Sequence, residues 1–194
     1  QKIYLQAFGN NLSIANDFMI SQTIEKIIED KKYENEFTSQ FLMSEFTSIV
    51  GPWNLWEFDK YKYFKRTGRQ TALSENKRRI ISEIFLNLKQ ELRKENRISE
   101  FELFYLVGDY LKQNSSSFSH LIIDEAQDLG PEKLFFIRQL VTKKPNDIML
   151  CGDAGQSLYK RHSSWIQHGL DIRGRSHGLK INYRTSKEIK AKAD

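Results

Sequence analysis

Two acidic segments are the strongest candidates for chemistry in this sequence. Residues 124–128 read Asp-Glu-Ala-Gln-Asp and residues 152–156 read Gly-Asp-Ala-Gly-Gln, and each follows a short apolar run. Asp124 could hold a magnesium ion through oxygen ligands, while Glu125 could orient or deprotonate a water nucleophile. Gln156 could hydrogen-bond phosphate or water without adding charge. An isolated Asp-Glu pair is often only solvated, but the second segment favours a hydrolytic site.

Two further segments combine aromatic rings with cations. Residues 182–186 read Asn-Tyr-Arg-Thr-Ser, in which Tyr183 could stack on a base and Arg184 could neutralise phosphate charge. Residues 60–66 interleave Lys and Arg with Tyr and Phe, which is the composition of a surface that binds single strands of nucleic acid. The alternative for residues 60–66 is an amphipathic helix whose lysine stems lie along apolar surface.

A strand–helix–strand unit is predicted to bring the two acidic segments together. Residues 120–124 and 148–152 are apolar runs, each with an acid at or just after its end, typical of parallel strands buried on both faces. Between them, Pro131 suits the first turn of a helix. Because such a crossover joins parallel strands, both acidic ends are expected at one edge of the sheet, where α/β sheets bind ligands.

The first 114 residues are predicted to be mostly helical. A short strand is expected over residues 2–8, and apolar residues at three- and four-residue steps predict helices over 12–28, 75–96 and 99–112. Ser99 and Glu102 have the spacing of a capping box. The helical residues 10–114 would then form an insertion in an α/β sheet, or a separate lobe packed on it.

Composition limits the class of protein. The chain has 194 residues, 39% of them hydrophobic, with 13 Phe, 8 Tyr and 3 Trp, which excludes a disordered tail. A single cysteine, Cys151, cannot close an intrachain disulfide and gives no sign of an oxidising compartment, so a cytoplasmic location is expected. No run reaches the ~18–20 apolar residues of a membrane span. The net charge of +5 permits a polyanionic partner.

Three segments together resemble a known family. Ile-Ile-Asp-Glu-Ala-Gln-Asp at 122–128, Gly-Asp-Ala-Gly-Gln-Ser-Leu-Tyr at 152–159 and Asn-Tyr-Arg-Thr-Ser at 182–186 resemble motifs II, III and IV of UvrD/Rep-like superfamily 1 DNA helicases. The resemblance implies an α/β fold with a partial RecA-like parallel sheet of the P-loop NTPase class and a large helical insertion. It also implies an ATP-driven motor that moves along single-stranded DNA, generally 3′ to 5′, and separates a duplex at its junction.

The resemblance assigns parts of the chain to parts of that fold. Residues 1–9 would be a strand of the first RecA-like lobe, residues 10–114 the helical insertion, and residues 115–178 the second half of the lobe. Residues 179–194 would hold motif IV and the start of the connection to the second lobe. The partners implied are DNA and the remaining helicase lobes of a longer parent chain, with no membrane.

The resemblance also implies a role for each matching residue. Asp124 would bind the Mg²⁺ that accompanies ATP, Glu125 would activate the attacking water, and Gln156 would sense the γ-phosphate. Tyr183 would stack on the adenine, with Arg184 reaching the γ-phosphate. The residues implied to contact the nucleotide are Gln127, Asp153, Tyr183 and Arg184. The candidates for contact with DNA are Tyr159, Arg161, Trp165, Lys65, Arg66 and Arg69.

The sequence departs from the family at two places. None of its glycines is followed by Lys-Ser or Lys-Thr, so it contains no G-x-x-x-x-G-K-[ST] phosphate loop. We therefore expect a fragment of a helicase that does not hydrolyse ATP by itself. The family usually has a DNA-stacking Trp two residues after the motif III Tyr, where this chain has Arg161, and the nearest tryptophan is Trp165.

Two other functions fit part of the pattern. A non-enzymatic module could bind single-stranded DNA through residues 60–66 and the motif III surface. A magnesium-dependent nuclease could use Asp124, Glu125 and Asp153 as its metal site. The nuclease gives Gln156 and the Asn-Tyr-Arg segment no role, so the helicase is the leading interpretation.

Overall fold

The computed structural model describes residues 12–69, 71–114, 118–153 and 165–178. Most of the described chain is helical. Between residues 12 and 114 the elements are β1 (Ser13–Ile14), α1 (Asp17–Lys31), α2 (Ser39–Glu45), a π-helical turn (Phe46–Val50), α3 (Phe58–Lys62), α4 (Glu75–Lys94), β2 (Arg97–Ile98) and α5 (Glu100–Gln113). After residue 118 they are β3 (Leu121–Ile123), a 3₁₀ turn (Ala126–Asp128), α6 (Pro131–Gln139), β4 (Ile148–Leu150) and a second 3₁₀ turn (Trp165–His168). The strand predicted over residues 2–8 lies outside the described residues.

Helix α1 begins later than the apolar pattern predicts. The side chain of Asn16 accepts a hydrogen bond from the Met19 backbone N–H at 2.9 Å, which caps the helix and starts it at Asp17. Leu12 is buried ahead of the helix, whereas Phe18, which the apolar pattern of residues 12–28 places on the core-facing side, is 68% exposed. The prediction for Phe18 is therefore wrong, because the helix starts after the first members of the apolar pattern and Phe18 lies in its exposed first turn.

Helices α4 and α5 confirm the sequence prediction to within two residues at each end. Each is preceded by an N-cap serine whose hydroxyl accepts a backbone hydrogen bond, Ser74 from the N–H of Lys77 and Ser99 from that of Glu102. Helices α1 to α4 enclose the main apolar core. Its largest fully buried side chains include Ile24, Leu42, Phe46, Tyr61, Ile81, Ile84, Phe85 and Leu88.

Loss of the Ser99 cap should destabilise the protein measurably. Ser99 is fully buried, and its hydroxyl lies 3.2 Å from the Glu102 backbone nitrogen. Ser99→Ala should lower the free energy of unfolding by about 1 kcal/mol, because a buried helix donor loses its partner. Urea denaturation measures the change. Ser99→Thr keeps the hydroxyl and should recover most of the loss; equal midpoints for wild type and Ser99→Ala would contradict the capping role.

Strands β3 and β4 form the parallel pair predicted from the two apolar runs. Leu121 pairs with Ile148 and Ile123 with Leu150, and α6 lies between the two strands in the chain with Pro131 at its start. The prediction that both faces are buried is wrong. Ile122 is 78% exposed and Met149 58% exposed, because alternate side chains point to opposite faces and one face of this pair is open in the described part of the chain.

The helices of residues 12–114, which we call the helical region, pack through aromatic residues on α6, the helix that links β3 to β4. Phe104 and Phe136 have ring centroids 5.4 Å apart, and those of Tyr105 and Phe135 are 5.0 Å apart. The Tyr105 hydroxyl donates to the carbonyl of Pro52 at 2.6 Å, which joins α5 to the turn that follows the π-helical turn. Helix α5 therefore connects the helical core with the strand pair. None of the described helices has the length and apolarity needed to cross a membrane.

Candidate functional site

The carboxyl ends of β3 and β4 lie side by side. Beyond the paired strands, the Cys151 N–H donates to the carbonyl of Ile123 at 2.8 Å, and the Ala126 N–H donates to the carbonyl of Cys151 at 2.9 Å. These two bonds bring residues 124–127 against residues 151–153. The prediction that both acidic segments meet at one edge of the sheet is confirmed for the residues described there. We call this place the strand edge.

Two exposed carboxylates stand at the strand edge. Asp124 follows β3 directly, and one of its carboxylate oxygens accepts a hydrogen bond from the Glu125 backbone N–H at 2.9 Å. Glu125 has a φ of 52°, in the left-handed region that is unfavourable for a residue with a Cβ. Such conformations concentrate at ligand-binding and catalytic positions. The backbone therefore turns sharply at Glu125 and leaves both carboxylates open to a ligand.

Gln127 connects the two segments of the strand edge. Its Nε2 donates to the Oε2 of Glu125 at 2.6 Å, and its Oε1 accepts from the backbone N–H of Asp153 at 3.1 Å. The adjacent Gly152 has no side chain to occupy the space taken by this amide. The family resemblance includes Gln127 among the residues that contact the nucleotide, but it gives no sign that the Gln127 amide bridges two strand ends.

The chemistry of the donors at the strand edge suits magnesium with a phosphate ligand. Mg²⁺ is commonly held by one or two carboxylates together with substrate phosphates and water, and Asp124 offers an exposed carboxylate. Among the described residues, no group of three or more His, Cys, Asp or Glu side chains could hold a metal ion by itself. Asp124, Glu125 and Asp153, the metal site of the nuclease alternative, are therefore not grouped as three metal ligands in the described part of the chain.

Several predicted site residues lie outside the described residues: Gln156, Tyr159, Arg161, Tyr183 and Arg184. Trp165 is described; it opens the second 3₁₀ turn and is partly buried. In that turn the His168 ring lies tilted against the ring of Trp53, with centroids 6.1 Å apart. Burial lowers the pKa of His168 below its usual value. The turn that holds Trp165 is thus packed against the helical region.

Arg66 and Arg69, predicted to contact DNA, are held inside the helical region by Glu45. The Arg66 guanidinium makes two bonds to the Glu45 carboxylate, Nε to Oε1 at 2.5 Å and Nη2 to Oε2 at 2.7 Å. Arg69 Nε lies 3.1 Å from Glu45 Oε2, and the Tyr61 hydroxyl donates to Oε1 at 2.6 Å. The side chain of Arg66 is 5% exposed, so its charge is used within the fold.

Sequence reasoning missed Glu45, although its position carries a signal. It lies three residues after Leu42 and four before Ile49, both buried, so the pattern places it on the buried face, where a charge needs a partner. Burial acts to raise the pKa of the Glu45 carboxyl, but hydrogen bonds from Arg66 and Tyr61 and the two guanidinium charges outweigh it. The pKa is therefore below its usual value, and Glu45 is charged in the folded protein.

The stretch 60–66 divides into a buried and an exposed part. Tyr61 is fully buried, and burial together with its bond to Glu45 raises its pKa. Tyr63 is 81% exposed, with the Lys62 ammonium 5.1 Å from its ring centroid, and Lys65 is exposed. Tyr63, Lys62 and Lys65 form what we call the basic aromatic patch.

Comparison with known sequences points to one family. The model of the UvrD/REP helicase N-terminal domain matches residues 1–172. A putative ATP-dependent DNA helicase, YjcD, of Bacillus subtilis strain 168 is 32% identical over 99 residues, which cover 48% of this chain and 13% of that protein. A probable DNA helicase II homolog of Mycoplasma genitalium is 30% identical over 94 residues, covering 45% of this chain and 13% of that protein. No solved structure matches the chain significantly.

Proposed function

This chain belongs to the UvrD/REP helicase N-terminal domain family, and we propose that it is part of the first motor lobe of an ATP-dependent DNA helicase. In the complete protein this lobe would bind ATP and drive 3′-to-5′ movement along single-stranded DNA. The observation that carries the proposal is the strand edge, where Asp124 and Glu125 directly follow β3 and their segment lies hydrogen-bonded beside the end of the parallel strand β4. Its position is that of the ligand sites of open α/β sheets.

Asp124 and Glu125 have separate tasks in this proposal. Asp124 would hold the magnesium ion, which neutralises phosphate charge when bound. Glu125 would orient a water molecule and accept its proton as the water oxygen attacks the γ-phosphorus. The bond from that phosphorus to the bridging oxygen of ADP then breaks, leaving ADP and phosphate. The sharply turned backbone at Glu125 supports this role, because the residue is exposed and its carboxylate is accessible from solvent.

The remaining nucleotide contacts are proposed from the family motifs. Gln156 would respond to the γ-phosphate, Tyr183 would stack on the adenine, and Arg184 would balance the charge of the phosphates. The phosphate loop that such sites require is not in this sequence. We therefore propose that other parts of the complete protein complete the ATP site.

DNA contact is proposed at the basic aromatic patch and around motif III. Tyr63 presents a ring on which a base could stack, and Lys65 supplies charge for the backbone, whereas the Lys62 ammonium is paired with Glu75 at 2.8 Å. Tyr159, Arg161 and Trp165 are the proposed contacts near motif III. Arg66 is removed from this set because Glu45 holds it in the interior, and Arg69 shares the same carboxylate.

Removing the Tyr63 ring should weaken binding to single-stranded DNA. Tyr63→Ala should reduce the binding free energy of the complete protein for a single strand by about 1–3 kcal/mol, the contribution of one stacked base. Fluorescence anisotropy with a labelled oligonucleotide measures this. Phe18→Ala is the matched control, since Phe18 is also an exposed ring, 68% accessible, on helix α1. Equal affinities for Tyr63→Ala and wild type would exclude the patch from the DNA contact.

The proposed function is tested by ATP turnover of the complete protein with and without single-stranded DNA. We expect hydrolysis that requires Mg²⁺ and increases when the single strand is added, with the DNA left intact. Binding to DNA without any hydrolysis would instead favour the non-enzymatic binding module. Cleavage of DNA with Mg²⁺ but without ATP would favour the nuclease, and either result would overturn the helicase assignment.

A further inference from the structure

We propose that Gln127 is a positioning residue that holds the Glu125 carboxylate in place and links it to the end of β4, and that it does not bind the nucleotide itself. The proposal rests on the function proposed for Glu125. In this proposal Gln127 affects ATP hydrolysis only through the orientation of the Glu125 carboxylate.

Both ends of the Gln127 amide are already engaged within the strand edge. The Nε2 donor lies 2.6 Å from Glu125 Oε2, and the Oε1 acceptor lies 3.1 Å from the Asp153 backbone nitrogen. The bond to Glu125 is assisted by the charge of the carboxylate, which makes it stronger than a neutral one. A neutral side chain that donates at one atom and accepts at another is needed here, and glutamine provides both.

Gly152 gives independent support for this arrangement. A Cβ built on Gly152 would overlap the Oε1 of Gln127 and would lie 3.2 Å from the backbone nitrogens of Ala126 and Gln127. The absence of a side chain at position 152 therefore leaves the room that the amide occupies. The segment after β3 thus supplies the Gln127 amide, and the segment after β4 leaves space for it at Gly152.

The bridge has a mechanical consequence. Glu125 sits on a left-handed backbone turn and is exposed, so its carboxylate needs a partner to keep one orientation. Gln127 is that partner, and its other end is fixed to a backbone N–H of the β4 segment and not to a mobile side chain. A shift of the β4 end would therefore move the amide and with it the carboxylate that orients water.

The test compares two variants in the complete protein. Gln127→Met keeps the side-chain length and removes both hydrogen bonds, and Gly152→Ala pushes the amide away while Gln127 remains. Each should lower kcat for DNA-stimulated ATP hydrolysis by on the order of 10- to 100-fold, because a misplaced reacting group has an effect of that size. The Kd for ATP and for single-stranded DNA should stay within about twofold of wild type, since neither ligand loses a direct contact.

Two substitutions serve as controls. Gln139→Met changes a partly buried glutamine whose Nε2 bonds the Phe135 carbonyl within α6, away from the edge. Gly178→Ala adds a methyl group where no described atom lies within 4 Å. Both should retain wild-type kcat. Retained DNA and ATP binding by the Gln127 and Gly152 variants shows that they are folded.

A double substitution separates this proposal from the function on which it rests. Because Gln127 acts through Glu125, Glu125→Gln combined with Gln127→Met should hydrolyse ATP in a single turnover no more slowly than Glu125→Gln alone. If Glu125→Gln leaves turnover unchanged, the function proposed for Glu125 fails. If Glu125→Gln abolishes turnover but Gln127→Met keeps the wild-type kcat, or weakens ATP binding with kcat unchanged, the positioning role alone is overturned.

Discussion

Replacing Glu125 by glutamine in the complete protein should lower DNA-stimulated ATP hydrolysis by on the order of 10²- to 10⁴-fold, the usual contribution of a general base. The glutamine keeps the shape of the side chain and removes its ability to accept a proton. ATP should still bind, because the charge of Asp124 and the remaining phosphate contacts are unchanged. Steady-state phosphate release and equilibrium nucleotide binding measure the two quantities separately.

The matched control for this variant is Glu25→Gln on the exposed side of helix α1. It removes one negative charge far from the strand edge in sequence and should leave turnover unchanged. Undiminished turnover in Glu125→Gln would remove Glu125 from the hydrolytic step. A large loss of nucleotide binding with normal kcat would instead make it a binding residue.

Removing the Glu45 carboxylate should have the largest effect on stability. Glu45→Ala should lower the free energy of unfolding by about 3–5 kcal/mol, because the Arg66 guanidinium would stay buried without its partner. The buried Tyr61 hydroxyl would lose its acceptor as well. Urea denaturation followed by circular dichroism measures the change.

The control for Glu45 is a surface ion pair. Glu57 and Lys60 lie 3.4 Å apart with 65% and 52% of their side chains exposed, so Glu57→Ala should change the unfolding midpoint little. Equal destabilisation by the two variants would show that the buried Glu45 network contributes no more to the free energy of unfolding than a surface ion pair does. Wild-type stability in Glu45→Ala would contradict the network as the structure shows it.

The Glu45 network also predicts a pH dependence. The folded pKa of Glu45 is lowered from 4.5, so its contribution is fully present above that pH and is lost as the pH falls toward the folded value. The stability difference between wild type and Glu45→Gln should therefore narrow as the solution is acidified below 4.5. A difference that grows in acid would mean that the carboxylate is not the stabilising form.

Local features of the fold were predictable because they depend on neighbouring residues. Ser99 caps α5 and Pro131 opens α6 as their chemistry requires, and the two apolar runs pair as parallel strands. The segments that contain Asp124 and Asp153 meet at one edge because the two strands are parallel neighbours joined by a crossover. For these helices and strands, the spacing of apolar residues and the residues at each end determine the local structure, because both act over only a few positions.

Contacts between distant residues were not predictable in the same way. Arg66 stands in a basic stretch that resembles a DNA-binding surface, but Glu45, 21 positions earlier, lies within bonding distance of its guanidinium. The exposure of Ile122 depends on which residues cover that face of the sheet, and an apolar run in the sequence does not reveal them. The Gln127 bridge depends on the space beside Gly152, and that space exists only after the two strands pair.

The most direct test of the central claim is a structure of the complete protein with Mg²⁺ and a non-hydrolysable ATP analogue. We predict that the triphosphate lies at the edge formed by the ends of β3 and β4, with Asp124 at the metal and the Glu125 carboxylate facing the γ-phosphate through a water molecule. A nucleotide bound away from this edge, with Asp124 and Glu125 in contact only with solvent, would contradict the account.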